Sequence, residues 1–186
     1  MKLNEYKKET LALIEELNPK SPTLTDDPDI EAKFYAVTNH VLLELCRIKK
    51  LSEYVEIPVV QGQVLRFEDI SNECGREVYQ VSRITGVDYD SRANGTVYKI
   101  LETGTAEIDC FVFPERITEK THANTELEIS QDLLEILPYG VAADLLKSDE
   151  SANYGRVYAE RYELMKQQLD PRYKLPDVYI SGGVDL

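Results

Sequence analysis

Two amphipathic segments between Leu133 and Leu169 constrain the fold most. Leu133, Leu137, Val141 and Leu145, with Leu134 and Ala142 beside them, recur at steps of three and four. After a short break, Tyr154, Tyr158, Arg161, Tyr162, Met165 and Leu169 do the same. Such spacing puts each set on one face of a helix. The break carries a helix-start signature. Ser148 can accept from a backbone N–H one turn on, and Asp149 and Glu150 place negative charge at the positive end of the second helix. Pro138 lacks the N–H that an internal helical bond needs, so the sequence predicts a kink or a restart, with Leu133 to Ile136 as a separate turn. Neither helix is long enough to hold its shape alone in water. The rest of the chain must supply a partner surface.

The front of the chain supplies two candidates. Residues 3–17 predict a short helix with Leu3, Tyr6, Leu13, Ile14 and Leu17 on one side, ended by Asn18-Pro19. A loop containing Pro19 and Pro22 follows. Asp27-Pro28-Asp29 then reads as an N-cap, a first-turn proline and a dipole-matching carboxylate. Ile30, Phe34, Val37, Val41, Leu45 and Ile48, with Leu42, make the apolar stripe of a longer helix.

From Val55 the apolar period shortens. Val55 to Ile57, Val64 to Phe67, Glu77 to Ile84, Val87 to Tyr89, Thr96 to Leu101 and Ala106 to Phe113 read as strands, with turns at Gln61-Gly62, Asn94-Gly95 and Gly104. Ile108, Cys110 and Val112 share one face of the last of these, and Phe111 and Phe113 the other. Leu127 and Ile129 suggest a final short strand. The connections are too short for parallel crossovers, so the expectation is an antiparallel meander. The fold class is therefore α+β: a core of about four helices carrying an inserted small antiparallel β domain. The expected units are 1–54 and 131–170 for the helical part, 55–130 for the β part, and 171–186 for an extended C-terminal arm. In that arm Val178, Tyr179 and Ile180 lie between Pro176 and Gly182-Gly183, a pattern that reads either as a frayed end or as an arm adding a strand to a neighbouring molecule.

The charge narrows the function. A net charge of −13 opposes attraction to DNA, RNA or an anionic membrane, each of which needs clustered Lys and Arg. No apolar run approaches membrane-spanning length, and no apolar stretch follows Met1 as in a signal peptide. Cys46, Cys74 and Cys110 have no C-x-x-C spacing and read as reduced thiols. Asp26, Asp27 and Asp29 could ligate a hard cation in a metal-dependent hydrolase, but the later ligands and the glycine of a calcium loop are missing, and helix capping accounts for them. His40 and His122 have no partner at a metal or nucleophile spacing. Gly182-Gly183 is no phosphate loop, because no helix or lysine follows. Tyr154, Tyr158 and Tyr162 could stack bases, but a core stripe with hydroxyls at its edge suits their sparse basic surroundings better. The residues thus indicate no catalytic site, no metal and no cofactor. Exposed members of the tyrosine helix, Tyr154 and Tyr158, and the arm residues Val178, Tyr179 and Ile180 are the expected protein interface.

A family resemblance runs through four stretches. They are Leu24 to Ile30 with Asn39, Leu43, Leu45 and Ile48-Lys49-Lys50; Phe113-Pro114-Glu115 with Ile117 and Thr118; Leu137 to Leu146; and Ser148-Asp149 followed by Tyr154-Gly155, Tyr158, Arg161 and Tyr162. In this order they resemble head–tail connector (adaptor) proteins of tailed bacteriophages and prophages. The resemblance implies a helical connector core flanking the inserted β domain. It implies a subunit of a ring, commonly dodecameric, between the portal protein and tail-side proteins in the neck of the virion. Its arm would dock on the portal or the adjacent copy, DNA would pass without specific binding, and the protein would be made in the bacterial cytoplasm. A tail-completion protein or a regulatory interaction module is the alternative.

Overall fold

The computed structural model describes residues 1–147 and 152–169. The expected cap at Ser148, Asp149 and Glu150 and the expected arm with Val178, Tyr179 and Ile180 lie outside the described residues. Helix α1 spans Leu3–Leu13 and α2 spans Pro28–Ile48. The β part contains β1 (Leu51–Val59), β2 (Val64–Arg66), α3 (Phe67–Cys74), β3 (Val78–Thr85), β4 (Tyr89–Arg92), β5 (Val97–Ile100) and β6 (Gly104–Val112). The chain then returns to helix in α4 (Gln131–Leu145) and α5 (Ala152–Leu169). The class is mixed α+β, with five helices and two antiparallel sheets among the described residues.

Four of the helices share one apolar core. Leu3, Tyr6 and Leu11 from α1, Phe34, Val41 and Leu45 from α2, Leu133, Leu137 and Val141 from α4, and Tyr162 from α5 belong to one buried cluster. Helix α2 starts as its sequence dictates, with Asp27 Oδ1 accepting from the N–H groups of Asp29 (2.8 Å) and Ile30 (3.2 Å). Helix α1 stops four residues earlier than expected. Glu15 takes a left-handed conformation (φ 62°), so that Glu16 N–H donates to Leu11 and Glu15 N–H to Ala12, a Schellman-type closure. Leu17 still packs on the core from the loop. Pro138 does not restart its helix: α4 is continuous from Gln131 to Leu145 with the proline inside.

The β part is not a meander. One sheet has the order β1-β6-β3 and the other β2-β5-β4, all neighbours antiparallel. Only β4 and β5 form a hairpin of consecutive strands, turned through Ala93, Asn94 and Gly95, all at positive φ. The physical reason lies in the strand faces. Ile57, Val59, Val78, Ile84, Ala106, Ile108, Cys110 and Val112 point inward from the first sheet, and Leu65, Tyr98 and Ile100 from the second. A flat meander would leave one such face in water, whereas two opposed sheets bury both.

Helix α3 was not foreseen, because Phe67 reads as the end of a strand. Its signals are local: Asp69 accepts from the Arg66 N–H (2.8 Å) as in a capping box, and Gly75 closes it at φ 71°. Its Ile70 is fully buried among the strands.

Leu127 and Ile129 form no strand. That segment meets the chain start through a single bridge, Lys2 with Glu126. Thr125 and Ala123 accept from the first N–H groups of α1, those of Leu3 (2.9 Å) and Asn4 (3.0 Å). The connection therefore caps a helix rather than extending a sheet. Farther back, Asn39 holds the same connection to α2. Its side-chain amide donates to the Ile117 carbonyl (2.6 Å) and accepts from the Ile117 N–H (2.9 Å).

Candidate functional site

Helix α5 carries two stripes one residue out of phase. Gly155, Tyr158, Tyr162, Met165 and Leu169 face the core, in steps of three and four. The sequence placed Tyr154 and Arg161 on that face too, but both are exposed. They belong to the neighbouring stripe, with Val157 and Leu164. Tyr154, Val157 and Leu164 are 69%, 61% and 62% exposed, a row of large apolar side chains along one flank of a helix. Arg161 fills the row between Val157 and Leu164, its guanidinium 4.6 Å from the centre of the Tyr139 ring.

The inner stripe fixes this flank in place. Gly140 of α4 leaves room for the Tyr162 ring, which a side chain at that position would meet at 2.8 Å. The Tyr162 hydroxyl donates to Glu44 Oε2 (3.0 Å) and Lys166 Nζ donates to Glu44 Oε1 (2.7 Å), so α5 is tied to α2 through one carboxylate. Burial alone would raise the Glu44 carboxyl. Hydrogen bonds from Lys166 and Tyr162 outweigh it and hold the group below the usual glutamate value. Burial, and then the Glu44 charge, push the Tyr162 phenol far above its usual value.

The two tyrosines expected at an interface differ in availability. Tyr158 is half-buried, and its hydroxyl donates to the Leu13 carbonyl at the end of α1. Tyr154 is free toward solvent at the first described turns of α5. Together they line a groove of about 330 Å³ with Leu13, Ile14 and Leu146. Val157 and Leu164 lie outside the stripe that the sequence predicts. The signal was present: apolar residues from 154 to 165 are too many for one stripe, and the surplus marks a second face.

The remaining candidates are placed as follows. Asp27 is occupied as the α2 cap, and Asp26 accepts from the Asn18 side chain. His40 is exposed on α2, and His122 Nδ1 accepts from the Asn124 N–H (3.2 Å) in a loop. Among the described residues, no group of three or more His, Cys, Asp or Glu side chains converges as metal ligands would. No helix among them is long and apolar enough to cross a membrane. What the arrangement offers chemically is a surface: apolar side chains of fixed orientation on a helix locked to the core. Scanned against protein-family models and against curated proteins, the sequence gives no match.

Proposed function

We propose that this chain is a non-enzymatic virion assembly protein of tailed phages or prophages, a head–tail connector subunit that joins the portal to the tail around the DNA channel. The observation that carries the reading is that the stretches resembling connectors touch one another. Asn39 of the second helix clamps Ile117 behind the β part. Gly140 of the α4 stretch receives Tyr162 of the α5 stretch. Residues chosen for their order along the chain thus behave as one packed unit.

Two further facts support it. The −13 charge suits a subunit beside a DNA channel, because acidic walls do not hold the passing genome. The exposed flank of α5 gives an apolar contact of the kind that joins subunits. On this reading the chain acts in the virion neck through self-assembly and through contacts with portal and tail-side proteins, with Tyr154, Tyr158 and the segment Val178 to Ile180 at the contacts.

The test is to mix the purified chain with the portal protein of the same genome and image the product. A stacked ring complex is expected. Deleting the gene should yield DNA-filled heads without tails, or heads that leak DNA. Tailed, DNA-filled particles from the deletion strain would remove the connector assignment.

A further inference from the structure

Two cysteines from separate elements meet inside the β part. Phe67, Ile70 and Cys74 follow one another at steps of three and four along α3, and all three pack on the β core. Cys110 sits on the inner face of β6 with Ala106, Ile108 and Val112. Helix α3 lies against β1 and β3, the two strands that flank β6. Arg76, two residues on from Cys74, reaches Glu53 of β1 (3.6 Å), and Glu53 is the cross-strand partner of Cys110. Both thiols therefore enter one apolar core beside the same β1 residue, with Cys74 near enough to Cys110 to act on it. Neither thiol is locked by a strong partner. Cys74 Sγ lies 3.7 Å from the Ser71 carbonyl and 3.4 Å from that of Arg76, and Cys110 Sγ lies 3.7 Å from that of Glu53. Access differs between them: Cys74 is half-buried, while Cys110 and Cys46 are buried.

We propose that Cys74 and Cys110 are an oxidisable thiol pair that closes to an intramolecular disulfide by exchange with a small disulfide such as oxidised glutathione. The Cys74 thiolate attacks one sulfur of the oxidant. The S–S bond breaks, one glutathione thiolate leaves, and Cys74 carries a mixed disulfide. The Cys110 thiolate then attacks the Cys74 sulfur and expels the second glutathione. The protein gives up two protons and two electrons, and the oxidant becomes two thiols. The order follows from access. Burial pushes the Cys110 thiol up to about 11, with the Cys74 thiol adding to the rise, so its thiolate is scarce and it acts only as the adjacent resolving group. The bond would tie α3, which follows β2 of one sheet, to the central strand of the other. Closing that loop restricts the unfolded chain and stabilises the β part.

The experiment treats the native full chain with oxidised glutathione, blocks the remaining thiols and maps the peptides by mass. Three free thiols should fall to one, with a single cross-linked pair containing Cys74 and Cys110. The melting temperature should rise by several degrees and return on reduction. Cys110→Ser should stop at a glutathione adduct on Cys74, and Cys74→Ser should give neither cross-link nor adduct, with circular dichroism reporting the fold of each. A stable Cys74 adduct in the parent chain, a bond through Cys46 or between chains, or no thiol lost before denaturation would overturn the proposal. The portal-binding result has no bearing on it.

Discussion

Gly140 shows how tightly single residues set the helical packing. A Cβ there would lie 2.7 Å from Val41 Cγ1 and 2.8 Å from Tyr162 Cε2, on two different helices. Alanine improves helix propensity by about 1 kcal/mol, but forcing an atom into this contact costs about 1–3 kcal/mol. Gly140→Ala should therefore lower stability by about 1 kcal/mol, read from urea denaturation. The carboxyl of Glu44 gives a second prediction. Its folded pKa is depressed, so its contribution is present above the usual glutamate range and is lost as pH falls through the folded value. Glu44→Gln should melt lower than the parent at neutral pH, and the difference should shrink in acid. An equal difference at every pH would mean that packing, not charge, joins α2 to α5 at this point.

At the scale of elements, a helix end is legible where one side chain makes it and illegible where packing does. The Asp27-Pro28 start of α2 is visible in the sequence because one side chain supplies the missing acceptor by itself. Asp27→Ala should cost about 1 kcal/mol, measured as a fall in melting temperature, and Asp27→Asn much less. The end of α1 was not visible, since nothing in Glu15 favours a left-handed conformation. What holds it there is closure of the helix and the packing of Ile14 and Leu17 on neighbouring elements. In α4, the continuous run through Pro138 is likewise a tertiary result. Leu137 and Pro138 are both buried, and the packing of that face outweighs one lost backbone bond.

At the scale of the molecule, the apolar side chains divide into two clusters, one shared by α1, α2, α4 and α5 and one inside the β part. Polar contacts link them. Lys50 Nζ reaches Gln80 (2.8 Å) and lies 4.5 Å from the centre of the Phe111 ring, and Arg76 joins Glu53 and Glu128. The exposed row on α5 belongs to neither cluster. If it and the segment after Leu169 serve assembly, light scattering should find an oligomer for the full chain. The chain ending at Leu169 should be smaller, with its helical signal and melting transition kept. A monomer in both cases, with portal added, would leave the α5 row without an assembly role.

The sequence by itself determined the helices and strands whose residues alternate with a clear period, the α2 cap, and an acidity that opposes nucleic-acid attraction. These are local or additive properties, carried by neighbouring residues or by a sum over the chain. Only the tertiary structure decided that β6 leaves β5 to join β1 and β3, that Asn39 seeks Ile117, and that Cys74 and Cys110 enter the same core. Each of these depends on which apolar faces cover one another, and contacts far apart in sequence leave no periodic trace in it. The candidate surface divides in the same way. The sequence offers Tyr154 and Tyr158 as exposed members of one tyrosine stripe, and only the tertiary structure turns Tyr154 out of that stripe and commits Tyr158 to Leu13 at the end of α1.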